Sequence, residues 1–281
     1  MEEYSIYLFL EREIIMSYQP IFKKLWSDFS GQNPKAKQVH DLFVAEGETI
    51  RNDHIALRTF NDPRVNLEKL AQAFVNVGYK ACGDYDFIQK KLVAKHYEHQ
   101  TDKLAPLVFI SELKLEECSQ FLQTEIKAAI DEIPQDIIDN PEKLLFSLRP
   151  WAKPSHEVYK KLLEESEYAA WTYVYGYRAN HFTVSVNGLD KLNTLEKVND
   201  FVESKGYTLN TSGGKIKGTP AEMLEQSSTM AEKYAVDFKE GIHEIPSCFY
   251  EFARRHPMSN GELYTGFIAA SADKIFESTN V

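Results

Sequence analysis

The chain has 281 residues, 43% of them hydrophobic and 12% aromatic, which is enough to bury a substantial core as two small domains or as one domain of two modules. Its 32 Lys plus Arg stand against 42 Asp plus Glu, and the formal charge of -10, with no basic stripe to offset it, excludes general nucleic-acid binding. Three cysteines, Cys82, Cys118 and Cys248, lack CxxC spacing, so neither a disulfide framework nor a thiolate zinc site is expected and a reducing, cytoplasmic setting fits.

In chain order, MEEYSIYLFLEREIIM carries a short apolar run broken by Glu11, Arg12 and Glu13, so it reads as neither signal peptide nor membrane span. Residues 1–20 are an extension leading into a first helix, with Met16 as an alternative start. Residues 21–113 form a first module. In its strand RNDHIALRTFND, His54, Ala56 and Arg58 share one face while Ile55 and Leu57 take the other. A surface strand would alternate in the same way. A helix headed by LEK follows, then a Gly-Tyr pair, a hairpin through DYDFIQKKLVAKHYEH, and the strand PLVFISEL. Residues 114–170, rich in helix formers and punctuated by Pro134, Pro141, Pro150 and Pro154, read as a helical insertion. Residues 171–281 form a second module: the strand NHFTVSVN, a second LEK helix, the Gly-rich turn TSGGKIKG, a helix opened by Thr219 with Pro220 and Glu222, and the strand SCFYEFARR.

The two modules are one unit used twice. In each, Arg precedes His by three residues, an alternating strand and polar turn follow, and the LEK leucine and the glycine are spaced eleven positions apart, Leu67 to Gly78 and Leu195 to Gly206. The expected fold is α+β, two βαβββ modules whose curved sheet surrounds a metal cleft, as in the vicinal oxygen chelate architecture. A ferredoxin-like pair would give similar spacing.

His54 and His181 are therefore equivalent residues on equivalent strands, and a pseudo-twofold axis would turn both into one cleft. Glu251, set in CFYEFA, is the natural third ligand, because an unpaired carboxylate among such residues is costly unless a cation or a neighbour such as Arg254 or Arg255 compensates it. Glu112, in FISEL, is a reserve ligand whose simpler reading is a strand-edge carboxylate. Two histidines and one carboxylate leave adjacent coordination positions open, as in non-haem Fe(II) oxygenases. A guanidinium beside a dication is repulsive unless an anion lies between, so Arg58 points to a carboxylate substrate that chelates the metal at its other end. His96 and His99 read as a solvated hairpin, His243 as a loop residue, Lys215 and Lys217 as a solvated turn, and Tyr250 as core.

The segments HIALR, NHFTV, YEFARR and GFIAASADKIFEST resemble the 2-oxoadipate dioxygenase/decarboxylase family from about Met16 onward. The resemblance implies Fe(II) held by His54, His181 and Glu251, and a substrate carboxylate held by Arg58. It implies conversion of 2-oxoadipate and O2 to 2-hydroxyglutarate and CO2, as in lysine catabolism, with no separate 2-oxoglutarate. Better-known members are longer and carry C-terminal sequence near the pocket, so the metal site carries over and the substrate's chain length does not. The expected partners are a small anionic 2-oxo acid and O2, with no nucleic acid or membrane, in a chain free to form homo-oligomers. Two other readings stand beside this one: an isomerase or lyase using Zn, Ni or Mn, which a fourth ligand at Glu112 would favour, and a non-catalytic binding module.

Overall fold

The computed structural model describes residues 17–279; the expectations for residues 1–16, Met16 included, lie outside them. In the first module, β1 (Asn52–Phe60) leads through helix Leu67–Val75 to β2 (Tyr79–Phe87), β3 (Leu92–His99) and β4 (Leu107–Leu113). In the second, β5 (Ala179–Ser185) leads through helix Leu195–Ser204 to β6 (Lys217–Thr219) and β7 (Leu224–Ser228). A hairpin of β8 (Lys233–Phe238) and β9 (Gly241–Pro246) then precedes β10 (Phe249–Arg255). The eight-stranded sheet runs β2-β3-β4-β1-β5-β10-β7-β6, so its second half mirrors its first. Strand β4 lies parallel to β1, β10 lies parallel to β5, and the halves join where β1 and β5 run antiparallel. This is the paired-module, vicinal oxygen chelate-like arrangement expected from the repeat.

The repeated LEK motif has a local cause. Asn66 and Thr194 cap the two helices, their side-chain oxygens accepting from the amides of Lys69 and Lys197, and Glu68 and Glu196 sit in the first turns where the helix dipole favours an anion. Leu67, Leu70, Ala71 and Phe74 in one helix, and Leu195, Val198 and Val202 in the other, recur at helical spacing and are buried. The turns that follow require left-handed backbone, met by Gly78 (φ +98°) and Gly206 (φ +87°).

Helices cover the convex face of the sheet. Trp26 and Phe29, from helix Gln19–Gln32, each pack 5.1 Å from Phe182 of β5, and Phe43, from helix Pro34–Ala45, stacks 5.7 Å from Phe252 of β10. Burying Phe29, Phe43, Phe182 and Phe252 contributes roughly 1.5–3 kcal/mol of transfer free energy per ring. Tyr250 shares this face and is fully buried, as expected. The opposite, concave face carries the polar residues of β1, β5 and β10. Helix Ala269–Phe276 lies over that side of the sheet, touching β2, β6 and β7.

Five helices lie between the modules, ending with Glu167–Tyr175, in which eight of nine residues are buried. An all-round apolar helix belongs inside. Tyr168 accepts from the Thr59 amide at 3.0 Å and donates to the Ser111 carbonyl at 2.7 Å, pinning the ends of β1 and β4, while Trp171 Nε1 donates to the Ser247 carbonyl at 2.7 Å.

Two local expectations are corrected. Thr219 does cap, but it caps a single 3-10 turn, Pro220–Glu222, because Met223 turns left-handed (φ +65°) and the chain enters β7 at once. His243 lies in β9, not in a loop, and stacks on His156 at 3.6 Å.

Candidate metal centre

The β1/β5 register sets His54 opposite Thr183 and Ala56 opposite His181, so the histidines are diagonal neighbours about the pseudo-twofold axis. In β10, Glu251 lies beside Thr183. These placements bring His54, His181 and Glu251 together, one ligand atom from each, all within 4.8 Å of one another. All three are buried, Glu251 completely.

The neighbours of each imidazole decide which nitrogen faces inward. His54 Nδ1 donates to Asp53 Oδ1 at 2.7 Å, which turns Nε2 inward, 3.1 Å from Thr183 Oγ1 and 3.6 Å from Glu251 Oε1. His181 Nδ1 donates to Asn180 Oδ1 at 3.1 Å, and its Nε2 faces Glu251 Oε2 at 3.1 Å. Burial, with help from His54 and Arg58, holds the His181 pKa well below its usual value, so its ring is neutral at pH 7. Burial raises Glu251 to about 6, still ionised at that pH. A neutral Nε2 and a carboxylate oxygen are then two acceptors facing each other with no hydrogen between them. Accordingly, Glu251 Oε2 has no hydrogen-bond donor among the described residues, while Oε1 accepts from Gln226 Nε2 at 2.6 Å. A divalent cation satisfies all three ligand atoms at once, so the residues fit a metal.

The supporting shell is ionic. Arg255 grips Asp53 through Nε (2.8 Å) and Nη2 (2.9 Å), while its Nη1 donates to the Tyr264 and Gly266 carbonyls. Burial works to raise the Asp53 pKa, but Arg255 and His54 outweigh it and hold this carboxyl well below the usual range. Asp53 therefore remains an anion that orients His54, the outer-shell device common at histidine metal sites. Apolar rings line the rest: Phe267 lies 4.8 Å from His54, and Phe249 stacks 4.6 Å from His181.

Arg58 is 1% exposed, with Tyr168 and Trp171 at 4.9 and 5.0 Å from its guanidinium. Nη1 donates to Glu167 Oε1 at 3.0 Å, whereas Nε and Nη2, which form one edge of the fork, are buried with no partner among the described residues. That edge matches the two oxygens of a carboxylate.

Glu112 does not join the cluster. It accepts from the Leu67 amide at 2.8 Å, at the start of a convex-side helix. In register, Leu107 lies beside His54 as Phe249 lies beside His181, so the place corresponding to Glu251 is Phe109, three residues earlier than the reserve ligand. Arg255 pairs with Asp53, not with Glu251. Lys217 is 3% exposed and donates to the Asn210 carbonyl, so it is no solvated turn residue; Lys215 is exposed and pairs with Glu203 at 2.7 Å. His96 is likewise buried, 5.6 Å from Phe267, and His99 is half-buried, 5.1 Å from Tyr18 and 5.2 Å from Tyr79.

The sequence model of the 2-oxoadipate dioxygenase/decarboxylase family matches residues 20–262. The chain belongs to this family. Among similar proteins, the Arabidopsis thaliana 2-oxoadipate dioxygenase/decarboxylase, chloroplastic, is 32% identical over 93% of this chain and 77% of its own. The crystal structure of hydroxyglutarate synthase from Oryza sativa in complex with 2-oxoadipate is 33% identical, with a TM-score of 0.87 over 93% of this chain and 91% of that one. A structure described as a putative hydrolase from Shewanella frigidimarina is 50% identical, with a TM-score of 0.85 over 90% and 98%.

Family membership thus rests on most of the chain, whereas the site rests on a few residues, some of which were not anticipated. Asp53 and Asn180 immediately precede the two histidines, so the repeat itself carried that signal: an Asx before each His. Gln226 and Glu167 carried none. Among the described residues, no helix is long and apolar enough to cross a membrane, and all three cysteines are free.

Proposed function

We propose that this protein is an Fe(II)-dependent dioxygenase/decarboxylase of a 2-oxo dicarboxylic acid, converting 2-oxoadipate and O2 to 2-hydroxyglutarate and CO2. In this reading His54, His181 and Glu251 hold the metal and Arg58 holds the substrate carboxylate remote from it. The observation that carries the proposal is the pairing of a three-ligand cluster with a buried guanidinium whose fork edge has no partner. The metal, when bound, supplies the chelation of the oxo acid and the activation of O2. The protein's own groups do the rest. Asp53 and Asn180 keep the Nε2 atoms of both histidines turned inward. Gln226 holds one Glu251 oxygen, and Arg58 fixes the far end of the substrate so that its oxo-acid end meets the ligands. Phe249 and Phe267 keep water from the reacting face.

Phe109 supports this reading over an isomerase or lyase, since a ring that cannot ligate stands where the pseudo-symmetry would put a fourth ligand. The relative from Oryza sativa, described in complex with 2-oxoadipate, supports the substrate class. The test is O2 uptake by protein loaded anaerobically with Fe(II), on adding 2-oxoadipate and then shorter and longer 2-oxo acids. Uptake matched by CO2 and the hydroxy acid is expected. Silence with every acid despite bound metal would move the isomerase or lyase reading ahead.

A further inference from the structure

We propose that Glu167 is a positioning residue that presents Arg58 to the remote carboxylate of a 2-oxo diacid and so sets the preference for diacids over monoacids. The inference rests on the reading of Arg58 as the carboxylate-binding group.

The protein contains its own reference for the geometry. Arg255 divides its donors: Nη1 is tied to two backbone carbonyls, and the Nε/Nη2 edge grips the Asp53 carboxylate. Arg58 divides them in the same way, with Nη1 tied to Glu167 and the same Nε/Nη2 edge buried with nothing on it. The Nε/Nη2 edge of Arg58 therefore corresponds to the edge with which Arg255 grips a carboxylate. Tyr168, Trp171 and Phe276, at 4.9, 5.0 and 5.7 Å, pack around the guanidinium but offer it no directional bond. Glu167 is the one charged group among the described residues that bonds to it, and so fixes its rotation.

The local sequence explains why Glu167 is available for this. Ser166 already caps helix Glu167–Tyr175 by accepting from the Ala169 amide, which leaves Glu167 at the first helical position with its carboxylate free, where the helix dipole favours an anion. Glu167, Tyr168 and Phe276 also line a cavity of about 240 Å³, together with Lys90 and Lys91. The helical insertion therefore contributes to substrate selection through one carboxylate.

A simple counter-ion would behave in the opposite way. If the substrate displaced Glu167 from Arg58, removing Glu167 would strengthen diacid binding. If Glu167 holds the fork in place, removal weakens it.

The test is anaerobic calorimetry of metal-loaded protein with 2-oxoadipate and with the monoacid 2-oxohexanoate, alongside kcat, KM and metal content. Glu167→Ala should weaken 2-oxoadipate binding about tenfold or more, the loss expected of a charge-assisted hydrogen bond, and raise its KM in step, with 2-oxohexanoate affinity and metal content little changed. Glu167→Gln, which keeps an oxygen acceptor for Nη1, should recover most of the affinity. Unchanged or tighter diacid binding in Glu167→Ala, or equal loss for both acids, overturns the proposal. A wild-type protein that binds both acids alike overturns the assignment of Arg58 and this proposal with it. Discrimination that disappears in Arg58→Ala but survives in Glu167→Ala overturns this proposal alone.

Discussion

Replacing Glu251 with Gln should stabilise the metal-free protein while destroying its metal site. Glu251 is fully buried, and burial raises its pKa from 4.5 to about 6. A raised carboxyl pKa means that the native state holds its proton more tightly than the unfolded chain, so the associated stability is present below pH 4.5 and is lost as the pH rises through about 6. At pH 7.5 the ionised group costs about 2 kcal/mol relative to a neutral one, and at pH 5 about 0.8 kcal/mol, taking about 1.4 kcal/mol per pK unit. The amide is neutral at both pH values. It can accept from Gln226 with its oxygen and donate to His181 Nε2 with its nitrogen, where the carboxylate sets acceptor against acceptor at 3.1 Å. Urea unfolding of EDTA-treated wild-type and Glu251→Gln protein should give a mutant more stable by about 2 kcal/mol at pH 7.5, with a gap of less than about 1 kcal/mol at pH 5. With saturating metal the order should reverse, since only the wild type gains binding free energy. A metal-free mutant less stable than wild type at pH 7.5, or a gap independent of pH, would refute the view that this carboxylate is held ionised against its surroundings for a cation.

Other outcomes follow from the same geometry. The apparent metal affinity of the wild type should fall about tenfold per pH unit below about 6, as Glu251 protonates, and a metal titration monitored across pH 5–7 that stays flat would contradict its role as ligand. Asp53→Asn removes the charge that orients His54 and pairs with Arg255, so metal affinity should drop about 10–100-fold, with a stability loss of about 3–5 kcal/mol from the buried guanidinium left unpaired. Unaltered affinity would separate Asp53 from the site. Phe109→His places a nitrogen ligand at the position related to Glu251; tighter metal binding with at least a roughly tenfold fall in O2 uptake is expected, and no change in either quantity would show that position 109 does not face the metal.

The sequence by itself determined that two equivalent strands each carry a histidine, that a glutamate lies within an apolar strand, and that one arginine follows its histidine by four residues. All of this is local. The strand's period of two assigns faces, and the helix caps and turn glycines mark each copy of the unit, so the repeat selected His54 and His181, the strand face added Arg58, and the apolar neighbours of Glu251 singled out that carboxylate. Tertiary structure decided the rest, because register between strands distant in sequence has no local signature. Alternation along β4 puts Glu112 on the opposite face from Phe109, but only the pairing of β4 with β1 reveals that Phe109, and not Glu112, corresponds to Glu251. Asp53 and Arg255, 202 residues apart, become a buried pair only when β1 and β10 flank β5 in one sheet. Lys217 and His96 read as solvent-facing because their neighbours in the chain are polar. Both are buried because the sheet curls and the C-terminal segment packs against the concave face, and burial is set by what comes to cover a side chain and not by the residues beside it.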